Sequence, residues 1–236
     1  VSPGGNFKTT FEIDEEAYFD FYCGRNAMLY LCPGDSMHLS FNAEKPEEKI
    51  KFTGNGAVVN NYLAEKKLLF TKIVPGEEEL YSLKQNAFLL KIDSIKEQFM
   101  VKQKNFEDST GPFSASFRKM NSDNTFYAWV ERCFNYPEYH NYYAHDDSVK
   151  PGDSYYDFIK QIDFNDSELV KNSYFIRSLY KFLHYQKEKE FKNDSALKSM
   201  DNAETAVQFR LAKELLPQAK IRNLAMVNLL SAHIRN

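Results

Sequence analysis

In the stretch FKTTFEI, Phe7, Thr9, Phe11 and Ile13 alternate with lysine, threonine and glutamate. This two-residue period predicts a half-buried strand. AYFDFYC and AMLYL follow, and Gly24-Arg25-Asn26 between them suits a hairpin turn. Pro33-Gly34-Asp35 predicts a second turn, because proline fixes φ and glycine accepts positive φ. SMHLSF and KIKF bring the expectation to about five short strands, and connections this short favour an antiparallel sheet. From Gly56 the spacing becomes helical. AVVNNYLAEKKLLF places Val58, Tyr62 and Leu69 near one face, with Lys66 and Lys67 off it. After Pro75-Gly76, the run from Glu77 to Phe106 reads as one long helical segment with Leu80, Leu83, Ala87, Leu90, Ile95 and Phe99 as its buried stripe. Beyond Thr110-Gly111-Pro112, helices continue almost to the end. Asp166 is the expected N-cap of a helix carrying Leu169, Tyr174, Ser178 and Phe182, and Pro217 splits the last two helical segments. The expected class is α+β: a small antiparallel β module over residues 1–54, then a mostly helical region over 55–236.

Composition narrows the function classes. At 236 residues the chain can form one large domain or two small ones with a buried core. Its 20 Phe and 15 Tyr make it too apolar for a disordered chain. The 30 basic and 33 acidic residues are interspersed, with no long basic run, which argues against a surface that tracks nucleic-acid phosphates. No apolar run approaches the ~20 residues of a membrane-spanning helix. Cys23, Cys32 and Cys133 form neither a CxxC pair nor a zinc-type cluster. Cys23 and Cys32 can approach across a sheet, but buried, reduced thiols are the simpler reading. The first residue is Val1 rather than methionine, which reads as a processed or trimmed start and leaves the compartment open.

Three stretches invite a chemical reading. In TGNGAVVN, Gly54 and Gly56 follow a strand and open a helix, as a dinucleotide fingerprint requires. Val59 stands where that fingerprint wants its third glycine, so a plain strand–helix junction, with glycines in the turn and Asn at the helix start, is expected. FNYPEYHNYYAHDD, Phe134 to Asp147, holds two histidines, three acids and four tyrosines. On a helix His140 and His145 lie roughly 140° apart, whereas Tyr136, Tyr139 and Tyr143 share one stripe with Tyr142 beside it. Pro137 suits a first helical turn and predicts a break from the preceding helix. A metal site there requires unwinding near Ala144-His145-Asp146-Asp147 and at least three convergent ligands. His38, His184 and His233 lie in separate segments without an adjacent nucleophile, and Cys133 sits in an apolar run that favours burial.

Taken in order, YLCPGDSMHLSF, FTGNGAVVNNYL, FNYPEYHNYY and SYYDFIKQIDFNDSELVKNSYFIRSLYKFL resemble the N-terminal region of thioredoxin-family thiol–disulfide oxidoreductases. The subset is the lipoprotein or exported type of Gram-negative gut bacteria, and the resemblance runs from about Phe7 to Ile234. In that family a strand-rich module with the PGD turn and the G…NNYL junction precedes a helical segment with YPEYH. A C-terminal thioredoxin domain with a CxxC active site follows. This chain has no CxxC, so no catalytic residue is carried over, and Cys23, Cys32 and Cys133 do not match the redox pair. The resemblance implies a non-catalytic accessory region, without cofactor or metal, of a periplasmic or cell-envelope oxidoreductase. The implied partners are its own thioredoxin domain, expected after residue 236, and a protein client. The residues leave two alternatives open. One is a stand-alone binding protein whose Tyr139, Tyr142, Tyr143, Tyr155 and Tyr156 form an aromatic-rich pocket for a peptide, glycan or lipid. The other is a metal-dependent enzyme using His140, His145 and Asp146.

Overall fold

The structure is a computed structural model that describes residues 5, 7–22, 26–42, 50–146, 150–194, 197 and 202–235, the last four as backbone alone. The chain forms two compact units, Val1–Pro75 with Phe99–Phe113, and Gly76–Gln98 with Ser114–Asn236. The class is α+β, mostly helical.

In the first unit, β1 (Ala17–Tyr22) pairs antiparallel with β2 (Asn26–Leu31), and β3 (Ser36–Ser40) with β4 (Lys51–Asn55). Among the described residues there are therefore four strands in two separate pairs, not one sheet of about five. Phe7–Ile13 does not join a ladder. Its alternation is used in side-chain packing instead: Phe7 stacks on Phe21 at 5.8 Å and Phe11 lies against Phe19 at 6.0 Å. Period two reports which side chains face the apolar side, not whether the backbone finds a partner. Part of the expected turn, Gly24-Arg25, lies outside the described residues.

Helix α1 (Ala57–Ile73) joins the two hairpins through its first turn. Asn60 is fully buried; its amide oxygen accepts from Tyr30 N at 2.8 Å and its amide nitrogen donates to Tyr30 O at 2.8 Å. Asn61 repeats this on β4, accepting from Phe52 N at 3.1 Å and donating to Phe52 O at 2.9 Å. Each asparagine side chain thus does for a strand edge what a neighbouring strand residue would do. Asn60 lies one turn inside the helix, and Gly56 caps α1 in the left-handed region, at φ 86. Side chains are barred at both glycines. A Cβ on Gly54 (φ +93) would stand 2.5 Å from Ser36 O, and one on Gly56 would stand 2.6 Å from the Asp35 carboxylate. The buried face of α1 is Ala57, Asn60, Tyr62 and Leu63, with Val58 exposed, because the helix is phased by its clamping amides as well as by its apolar residues. The Lys66 ammonium lies 5.5 Å over the Phe99 ring, and burial lowers its pKa from 10.5 to about 8.

In the second unit, the segment expected as one helix is two: α2 (Glu77–Tyr81) and α3 (Gln85–Thr110), whose last turns belong to the first unit. The break resets the phase. The buried stripe of α3 is Phe88, Ile92, Ile95 and Phe99, while Ala87 is exposed and Leu90 is 73% exposed. Helix α4 (Ala115–Ala144) is capped by Ser114, which accepts from Phe117 N at 3.1 Å. It runs through Pro137 without the expected break. Proline lacks the N–H that would bond the carbonyl four residues back, that of Cys133. The Tyr155 hydroxyl donates to Cys133 O at 2.7 Å and takes that place. Tyr155 lies in a 3-10 stretch, Asp153–Gln161; a second, Ser167–Lys171, is capped by Asp166. Asn172 rather than Asp166 caps α5 (Ser173–Asn193), accepting from Phe175 N at 2.9 Å. Helices α6 (Ala203–Leu215) and α7 (Ala219–Arg235) flank Pro217. Val130, Cys133 and Phe134 of α4 share one core with Phe175, Leu179, Phe182 and Leu183 of α5.

Two stability outcomes follow. Asn60→Ala strands a buried N–H and C=O and is expected to cost roughly 2–4 kcal/mol in urea unfolding, more than Asn61→Ala at the partly exposed β4 edge. Tyr155→Phe is expected to cost about 1–3 kcal/mol, through the Cys133 carbonyl it leaves unbonded. Lys66 has a pH signature. Between about pH 8 and 10.5 the unfolded chain binds the proton that folded Lys66 has lost, so its contribution makes stability rise across that window. Lys66→Met is expected to remove the rise and to stabilise the protein at pH 7 by on the order of 1–2 kcal/mol, the shift being discounted for partial exposure.

Candidate functional site

The tyrosine-rich end of α4 is the densest concentration of candidate groups. Tyr136 is fully buried, stacks on Phe88 at 4.3 Å and donates its hydroxyl to Leu83 O at 3.0 Å. One turn on, Tyr139 meets Tyr81 edge-on at 4.9 Å, and Tyr143 donates to Glu77 Oε2 at 3.0 Å. These rings hold α2 against α4. Tyr142 lies off the stripe, 72% exposed, with its ring 4.9 Å from that of Tyr143. Of the other two candidate tyrosines, Tyr155 is buried and Tyr156 is half-buried, stacked on Tyr185 at 4.0 Å. Burial raises the pKa of the Tyr155 and Tyr156 hydroxyls.

The two histidines of this stretch are not brought together. His140 is buried, with Nδ1 2.6 Å from Tyr81 O; a carbonyl only accepts, so Nδ1 carries the hydrogen. His145 is exposed just beyond the helix, in the left-handed region at φ 53. Asp146 follows it, and Asp147 lies outside the described residues. Among the described residues no group of three or more His, Cys, Asp or Glu is placed to hold a metal ion. His38 and His184 are exposed on different elements, and the His233 side chain lies outside the described set.

The surroundings of the two described thiols favour the protonated form. Cys32 directly follows β2, its Sγ 3.7 Å from Glu16 Oε2. Burial and the nearby Asp35 and Glu16 carboxylates push its pKa up to about 11. Burial also pushes the Cys133 thiol far up. Cys23 lies outside the described residues.

At the glycine junction the geometry opposes an anion. A phosphate cradle needs donors and open space. Here the Ser36 carbonyl fills the space beside Gly54, and the Asp35 carboxylate fills that beside Gly56. Asp35 also accepts from Cys32 N at 2.8 Å, and Asn55 Nδ2 donates to Gly34 O at 3.3 Å. The PGD turn and the GNG junction are thereby fastened to each other.

Sequence reasoning missed a groove of about 580 Å3 in the first unit, lined from β4, α1 and the end of α3. Its residues share a face within α1 and within α3, but no spacing along the chain relates those faces to each other or to β4. Compared with protein-family models, curated proteins and solved structures, the chain matches none. Among the described residues no helix is long and apolar enough to cross a membrane.

Alkylation tests the thiol assignment. At pH 7.5, iodoacetamide is expected to label Cys32 at least tenfold more slowly than free cysteine, and Cys133 only after unfolding, as read residue by residue in a mass spectrometer.

Proposed function

We propose that this chain is the non-catalytic N-terminal accessory region of a thioredoxin-like thiol–disulfide oxidoreductase of the periplasm or cell envelope. Its task in that protein is to position the redox domain or to recognise a client. The observation that carries the reading is the use made of the shared motif residues. Asp35, Gly54, Gly56, Asn60 and Asn61 all serve backbone geometry and backbone hydrogen bonds. Residues with such duties define a scaffold, whereas a catalytic motif presents nucleophiles, acids or phosphate donors to a substrate. The two described thiols have raised pKa values, the opposite of what a redox-active thiolate needs. On this reading the disulfide chemistry belongs to a separate thioredoxin domain, and the interspersed surface charge suits a protein client better than nucleic acid. Tyr142 is the one candidate tyrosine with most of its surface in solvent, and a client contact would involve it first.

Two measurements test the reading. In the insulin-turbidity assay with dithiothreitol, this chain is expected to give no rate above dithiothreitol alone; turnover above that background overturns the non-catalytic assignment. The reading frame past Asn236 is expected to encode a thioredoxin-like sequence with a CxxC pair, and a stop codon directly after Asn236 overturns the accessory role.

A further inference from the structure

The groove in the first unit has a chemistry of its own. β4 supplies Lys51, Phe52 and Thr53, α1 supplies Asn61 and Glu65, and the last turns of α3 supply Lys102, Asn105, Phe106, Ser109 and Thr110. At about 580 Å3 it falls within the size range of small-ligand sites. We propose that it binds an acidic oligosaccharide, a short chain of sugars bearing carboxylates.

The argument begins with what the groove refuses. A peptide added as a strand to β4 would need the outward N–H and C=O of Phe52. Asn61 already holds both, at 3.1 and 2.9 Å, so strand addition there requires breaking the clamp. Apolar anchors fare no better. Phe52 is only 5% exposed, which leaves the half-buried Phe106 ring as the one aromatic surface within reach. Of the ten lining residues only Phe52 and Phe106 are apolar, so a lipid chain or a hydrophobic side chain finds little to anchor it.

What remains is a mixed set of polar groups. Lys51, Thr53 and Asn105 are exposed and have no side-chain partner among the described residues. Lys102 is ion-paired with Glu65 across the groove, which fixes both heads and leaves Lys51 as the excess positive charge. The Ser109 and Thr110 hydroxyls each donate to Phe106 O at 2.8 Å. Their hydrogens are committed, so their oxygens present lone pairs to a ligand. The groove therefore offers an ammonium and an amide N–H2 as donors, hydroxyl oxygens as acceptors, and the solvent-facing part of the Phe106 ring, which also packs on Tyr62 at 5.5 Å and Phe113 at 5.9 Å. A carboxylate meets Lys51, sugar hydroxyls both donate and accept, and pyranose C–H groups meet the part of the ring left open. A neutral sugar would forgo the charge attraction of Lys51, and a polyanionic peptide brings only its backbone N–H groups to the hydroxyl oxygens, where each sugar ring brings several hydroxyls.

This inference does not rest on the accessory-region reading, and its test uses neither disulfide chemistry nor the flanking gene. Trigalacturonate, maltotriose and hexaglutamate are titrated separately into the chain, followed by amide chemical shifts in 1H–15N spectra. Trigalacturonate is expected to shift the amides of Lys51, Thr53 and Asn105 saturably and to weaken as salt is added. The Lys51→Ala/Asn105→Ala double variant, altered only at exposed positions and checked for native circular dichroism, is expected to bind at least tenfold more weakly. Absence of saturable shifts in the groove, an unchanged double variant, or equal or tighter binding of maltotriose or hexaglutamate overturns the proposal.

Discussion

A buried asparagine holds the first unit together. Two-stranded hairpins are marginal in water, and each leaves edge N–H and C=O groups that need partners once covered. Asn60 satisfies β2 at Tyr30, and its neighbour Asn61 satisfies β4 at Phe52. Consecutive residues on a helix point ~100° apart, so one turn of α1 can serve two different strands. Asn60 Nδ2 also donates to Gly56 O at 2.9 Å, which ties the clamp to the start of the helix that carries it. The glycines are required for the same reason. With Gly54 and Gly56 in the left-handed region, the chain turns from β4 into α1 closely enough for both amides to reach.

The second unit solves a comparable problem at Pro137. A proline inside a helix leaves a carbonyl without its donor, and a buried carbonyl in that condition is costly. The Tyr155 hydroxyl supplies the donor from outside the helix, so α4 continues for two more turns and carries Tyr139 and Tyr143 to α2. Much of the tyrosine content is explained by duties of this kind. Tyr136, Tyr143 and Tyr155 each bury or half-bury a ring and use the hydroxyl on a specific acceptor. Tyrosine suits such places because one end of it is apolar and the other is polar.

The same logic gives residues of the suggestive motifs structural duties. Asp35 spends its carboxylate on the PGD turn, His140 spends Nδ1 on the Tyr81 carbonyl, and Cys32 faces carboxylates that disfavour its thiolate. The groove beside β4 differs because Lys51, Thr53 and Asn105 remain uncommitted among the described residues. Lys51 and Asn105 stand outside every motif, and Thr53 only opens the TGNG stretch.

The sequence by itself determined the α+β class, four of the strands, the glycine junction, the shared face of Tyr136, Tyr139 and Tyr143, and the divergence of His140 from His145. Each of these depends on periodicity or on the φ preference of a few residues, both of which are local. It put Ala87 and Leu90 on the buried stripe, where both are exposed, because a three-residue break after Tyr81 resets the helical phase. It read a break at Pro137, because the compensating hydroxyl comes from Tyr155, which no helical or strand spacing relates to that turn. Only the tertiary structure decided that α1 and the end of α3 join the strands, that Asn60 lies at the centre of that unit, and that three elements line a polar groove. Those outcomes depend on hydrogen bonds between residues as far apart as Tyr30 and Asn60, and spacing along a chain carries no record of which distant carbonyl an amide will meet.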